Sequence, residues 1–126
     1  MIAKPAVDPD VVTSIDPSTL EDSFVYLHCH FSSPREDLMI RIWKTSFLTD
    51  HDSGSRSSLI HAENISFAPA WTQVRATPSY TFLLIFSSLP HSCRLFDFKE
   101  EISQPGGFYV PDISRNETDV YHIDIM

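Results

Sequence analysis

Two histidines spaced two apart, His28 and His30, are the residues of this chain whose type and spacing most directly support chemistry. In an extended strand, residues i and i+2 project from one face, so both imidazoles can reach a single metal ion. Such a site needs at least one further ligand, for which His61, His91, His122 and the Asp50-His51-Asp52 cluster are candidates. The alternative is a solvated histidine face. Other constellations are less specific. Asp50-His51-Asp52-Ser53-Gly54 starts like a calcium loop but lacks the later carboxylate that closes one, and reads as a polar hairpin turn. Ser87 or Ser92, His91 and Asp97 supply the residue types of a hydrolytic triad. They are sequence neighbours without a Gly-x-Ser-x-Gly elbow, which points to chance composition. Cys93 near His91 raises a thiolate nucleophile, set against a plain core thiol. Asn64-Ile65-Ser66 and Asn116-Glu117-Thr118 fit the glycosylation acceptor pattern, which has meaning only on a eukaryotic secretory route. No catalytic residue is assigned, no cofactor is expected, and the chain reads as a non-enzyme.

The elements that must position these residues are strands. From Phe24 to Phe31, Val25, Leu27, Cys29 and Phe31 share one face and Phe24, Tyr26, His28 and His30 the other, with the first set expected in the core. After a Ser-Ser-Pro-Arg-Glu-Asp turn, Leu38, Ile40 and Ile42 alternate with Met39, Arg41 and Trp43, so an antiparallel hairpin or Greek-key pair over Phe24 to Trp43 is expected. A second hairpin joins Thr45–Leu48 to Leu59–Ala62 around the Asp50 turn. Ile65 to Ala76 reads as a loop or one short helical turn, because Pro69 interrupts the near-helical spacing of Phe67, Trp71 and Val74. Thr81–Phe86 and Leu95–Phe98 read as two paired, largely buried strands. Pro105-Gly106-Gly107 leads into Phe108-Tyr109-Val110, and Val120 to Ile125 alternates with Tyr121, Ile123 and Ile125 inward.

The 126 residues, 42% of them hydrophobic, suffice for one domain with a core and are too few for two. Nine prolines, nine phenylalanines and three glycines favour short strands and turns. A net charge of -8, with scattered Lys and Arg, argues against nucleic-acid binding. No apolar run reaches the roughly 20 residues that span a bilayer, so membrane insertion is not expected. Met1-Ile2-Ala3-Lys4-Pro5 lacks the apolar core of a secretory signal, which leads to a soluble, cytoplasmic protein, or an exported one if the sequence is a trimmed mature form. Cys29 and Cys93 fall in candidate strands as either a cross-core disulfide or two buried thiols.

The expected architecture is all-β: an N-terminal arm or linker over residues 1–22, and a domain of about seven strands over 23–126 that forms an antiparallel β-sandwich. Ile40-Arg41-Ile42-Trp43, Thr45 to Asp50, Leu59 to Ile65, and Thr81 to Pro90 leading to Phe96-Asp97-Phe98 resemble immunoglobulin-like β-sandwich domains of uncharacterised bacterial proteins. The resemblance implies an adhesive or accessory role and carries no catalytic residue onto this chain. The functional expectation is a non-enzymatic protein-interaction module, a subunit or accessory factor of a larger assembly. It would engage a protein partner or a second copy of itself, in part through the N-terminal arm, with Phe24, Tyr26, Trp43, Trp71 and Tyr109 as aromatic anchors. The alternative is a small metal-binding protein or metal-dependent enzyme using His28 and His30.

Overall fold

The computed structural model describes residues 23–125; the expected arm, residues 1–22, lies outside the described residues. Among the described residues the fold is all-β, with nine strands: β1 (Val25–Ser33), β2 (Leu38–Ile40), β3 (Ser46–Asp50), β4 (Arg56–Glu63), β5 (Thr72–Val74), β6 (Thr77–Phe86), β7 (Leu95–Glu100), β8 (Tyr109–Ser114) and β9 (Val120–Asp124). Seven of them form one mixed sheet in the order β8-β7-β3-β4-β6-β1-β9, and β2 and β5 form a separate ribbon. No helix among the described residues is long and apolar enough to cross a membrane.

The β3–β4 hairpin forms because its polar turn is internally wired. The buried Asp50 carboxylate accepts from the Asp52 amide at 3.0 Å and the Ser53 hydroxyl at 2.6 Å. Gly54 adopts φ +74, a left-handed conformation that glycine reaches without a Cβ clash. Beyond the turn, β4 changes partner. Ser57 and Ser58 pair with β3, whereas Leu59 to Glu63 pair with β6 across a bulge at Ile60. A bulge bends a strand and increases its twist, so the sheet curls and is nearly closed like a barrel. The apolar faces of its two halves then meet: Phe86 of β6 packs edge-on against Phe98 of β7 at 5.8 Å, and Phe96 of β7 against Tyr121 of β9 at 5.1 Å.

β1 lies inside this sheet, antiparallel to β6 and parallel to β9. Its expected core set, Val25, Leu27, Cys29 and Phe31, is buried, and so are Tyr121 and Ile123 of β9. Three expectations about pairing are corrected. β2 pairs with β5 and not with β1, because both edges of β1 are already occupied by β6 and β9. Thr81–Phe86 and Leu95–Phe98 do not pair with each other; β6 joins β1 and β4, and β7 joins β3 and β8. Their connection is not a hairpin turn: Leu89 and Cys93 pack into the core, while His91 and Ser92 between them are exposed. Leu59–Ala62 does not pair with Thr45–Leu48; Phe47 and Leu48 meet Ser58 and Ser57 instead, because the bulge at Ile60 hands the rest of β4 over to β6. The sheet is mixed and not wholly antiparallel, since β1 and β9 run parallel. The Ile65–Ala76 stretch is irregular chain plus β5, with Phe67 bridged to Ile42. Cys29 and Cys93 are buried free thiols.

Phe98 is fully buried at the contact between the two halves, whereas Tyr109 is 57% exposed. Phe98→Ala is therefore expected to lower unfolding free energy by about 3–5 kcal/mol in urea titrations, and Tyr109→Ala to change it by less than about 0.5 kcal/mol.

Candidate functional site

The first cluster forms where the β2–β5 ribbon meets the chain entering β8. Ile40 and Ile42 point into the core, so alternation turns Met39, Arg41 and Trp43 outward. The amide of Ile42 donates to Ser66 O and the amide of Ala68 to Ile42 O, both at 2.9 Å, holding the following loop against this segment. Trp71 thereby comes over Arg41. The guanidinium lies 3.8 Å from the Trp71 ring centroid and 4.9 Å from that of Trp43, cation–π contacts to both indoles. Arg41 Nη1 donates to Pro69 O at 3.3 Å, while its buried Nε has no hydrogen-bond partner among the described residues. These groups edge a cleft of about 290 Å³ that also involves Met39, Phe108 and Glu100. Glu100 is buried; its carboxylate accepts from the amides of Trp43 and Phe108 at 2.9 Å each. Burial pushes its pKa up, against the opposing pull of those two amides and the Arg41 charge.

The five expected anchor residues are thus divided. Trp43 and Trp71 converge at the cleft, Tyr109 is exposed next to the cleft residue Phe108, and Phe24 is half-buried at the start of β1. Tyr26 is 1% exposed and belongs to no surface patch. The reason is that Val25, Tyr26 and Leu27 are buried in succession, so the outward face of β1 begins only at His28.

The second cluster contains the expected histidine pair. His28 and His30 do share the face of β1 opposite the core, and the parallel register sets His122 beside His28 and Asp124 beside His30. The His122 ring stacks on His28 at 4.7 Å and on His30 at 5.3 Å between centroids. His30 Nδ1 hydrogen-bonds Thr81 Oγ1 at 2.7 Å, and its Nε2 hydrogen-bonds His122 Nδ1 at 3.1 Å. Desolvation, reinforced by the neighbouring rings of His122 and His30, lowers the His28 pKa. Of the further ligands considered from sequence, His122 joins this face. His61 lies beside Glu63 at 3.4 Å instead, and His51 belongs to another group.

That third group escaped the sequence reading. His51 Nε2 meets Asp97 Oδ1 at 2.6 Å and Asp112 Oδ1 at 3.5 Å, and the Asp112 amide donates to Asp97 at 2.8 Å. His51 lies in the β3–β4 turn, Asp97 on β7 and Asp112 on β8, so only the strand register reveals the trio. Asp97 is thereby engaged outside the triad that Ser87 or Ser92 and His91 suggest on paper. Ser87 packs its hydroxyl against Ser57, and His91 and Ser92 are exposed. Cys93 is held as a thiol: burial, then its contact with the Asp50 carboxylate, raises its pKa, the opposite of nucleophile activation.

Comparison with known proteins found no matching family model, no matching curated protein and no matching solved structure.

For the His51 trio the geometry sets a pH dependence. The hydrogen bond to Asp97, aided by the charges of Asp97, Asp112 and Asp52, raises the His51 pKa above 6.5. Burial alone would push Asp97 up, but its bonds from His51 and the Asp112 amide bring it below the ordinary carboxylate value. The His51 contribution is fully present below the unfolded pKa and disappears as pH rises through the folded one. The Asp97 contribution is present above its unfolded pKa and disappears as pH falls through the folded one. In an NMR titration the His51 ring is expected to titrate above 6.5, with Asp97→Asn moving its midpoint down more than Asp112→Asn does.

Proposed function

We propose that this chain is a non-enzymatic protein-interaction module, a subunit or accessory factor of a larger assembly, anchored at the Trp71–Arg41–Trp43 stack. The observation that carries this reading is an exposed apolar ledge built on a rigid frame. Trp71 is 49% exposed and Met39 53% exposed, both lining the cleft, while the core residues Ile40 and Ile42 fix the backbone on either side of Arg41. Trp and Arg in pockets are the residue types that dominate binding energy at interfaces, and Arg41 held between two indoles loses little further conformational freedom on binding. The occupant that fits is a protein segment with an apolar side chain to cover Trp71 and Met39, flanked by basic residues that complement the chain's net charge of -8. The immunoglobulin-like kinship belongs to the same proposal. It is supported by the meeting of two half-sheets over an aromatic core, and it makes the adhesive or accessory role of such domains the expected one.

The reading is tested by comparing the full chain with Trp71→Ala and with a form lacking residues 1–22, first checking by circular dichroism that each folds. A partner retained by the full chain is expected to bind Trp71→Ala about thirtyfold more weakly, as loss of an interface hot spot of about 2 kcal/mol implies. The shortened form is expected to assemble less strongly with the fold intact. Equal binding of that same partner by the full chain and Trp71→Ala would overturn the assignment of the anchor.

A further inference from the structure

The geometry points to a metal site on the outward face of the β1–β9 pair: one divalent transition-metal ion held by His30 Nε2 and His122 Nδ1, with His28 and Asp124 as the adjoining ligands. It is separate from the Trp–Arg cleft and does not depend on the interaction reading. Four potential ligands form a two-by-two array there. His28 and His30 are successive outward residues of β1, and the parallel register places His122 and Asp124 directly beside them. Laterally paired residues on one sheet face are within side-chain reach of each other. β9 is the last strand of the sheet among the described residues, and His122 and Asp124 on it are exposed, which gives an ion a way in.

Two nitrogens are already at ligand spacing. Two imidazoles bound to one tetrahedral ion at about 2.0–2.1 Å place their nitrogens roughly 3.3 Å apart, and His30 Nε2 and His122 Nδ1 are separated by 3.1 Å. Thr81 acts on the far side of the first ligand. In the tautomer where His30 Nδ1–H donates to Thr81 Oγ1 at 2.7 Å, the lone pair is on Nε2, toward His122. This is the outer-shell hydrogen bond that orients a ligating histidine. The hydrogen that His122 Nδ1 donates across the gap moves through water to its own Nε2 when the ion enters, so two neutral rings bind without net proton release. His28 brings a buried Nε2 that has no hydrogen-bond partner among the described residues. Its ring, stacked on His122, joins by a side-chain rotation. A set of imidazoles with one carboxylate selects zinc, copper(II) or nickel over calcium or magnesium.

The test is calorimetric titration of the metal-stripped full-length chain with zinc sulfate, comparing wild type with His122→Ala, Thr81→Val and His51→Ala. His122 is exposed, and equal thermal melts establish that each variant is folded. One zinc per chain is expected for the wild type. His122→Ala should weaken binding at least tenfold, Thr81→Val about ten- to a hundredfold through the lost orienting bond, and His51→Ala should bind as the wild type does. Cobalt(II) added in place of zinc should give visible absorption bands that His122→Ala abolishes. No saturable zinc binding by the wild type would overturn the proposal. So would undiminished binding by His122→Ala, or loss of binding in His51→Ala, which would place the ion at the His51–Asp97–Asp112 trio instead.

Discussion

Ser57 and Ser58 of β4 belong to the β3 ladder while Leu59 to Glu63 belong to the β6 ladder, and this exchange of partners within one strand is the constraint on which the other contacts depend. A flat sheet in this strand order would leave Phe86, Phe96 and Phe98 facing water. Curling at β4 turns one half onto the other, so that those rings and Tyr121 form the core. Ser87 stabilises the bend from the partner side. It accepts from the Ser57 hydroxyl, and its amide donates to Ser58 O at 2.9 Å.

Buried carboxylates hold the connections that the curl requires. Asp50 closes the β3–β4 turn, Glu100 ties the amides of Trp43 and Phe108 together, and Asp119 takes both Nε and Nη2 of Arg115 at 2.6 and 3.1 Å. Arg115 also donates from Nη1 to Pro90 O and Cys93 O, joining the β8–β9 connection to the segment between β6 and β7. A buried charge without such partners would cost several kcal/mol, so each of these residues is confined to one geometry. Glu100 links frame and surface most directly, because the backbone it fixes at Trp43 carries one wall of the Arg41 stack.

What was legible in the sequence was local. The alternation of Val25, Leu27, Cys29 and Phe31 and the inward Tyr121 and Ile123 of β9 depend on neighbours within a few residues, and the structure has them as expected; the Asp50 turn was legible too, but it closes Arg56–Ser58 onto β3 and not Leu59–Ala62, which joins β6. Pairing between distant strands has no such signature. Nothing in Thr81–Phe86 or Leu95–Phe98 tells that the two strands take different neighbours in the sheet. The parallel placement of β9 beside β1 depends on the whole circuit of the sheet. The same limit applied to the sites. The His28–His30 spacing could be read, but choosing His122 over His61 or His91 required that parallel register, and the His51 trio required the registers of β3, β7 and β8 together. Trp43 and Trp71 could be singled out by type, but their convergence on Arg41 appears only in the fold. Tyr26 was misplaced because strict alternation fails where a strand is covered on both faces.

The core, the histidine face and the His51 trio all derive from the single curled sheet, so the most direct test is the strand order itself, by cross-strand nuclear Overhauser effects on isotope-labelled protein. The account predicts effects between β1 and β9 in parallel register, aligning Cys29 with Ile123, and between β7 and β3, aligning Leu48 with Phe98. Effects pairing Thr81–Phe86 directly with Leu95–Phe98, with none between β1 and β9, would contradict it.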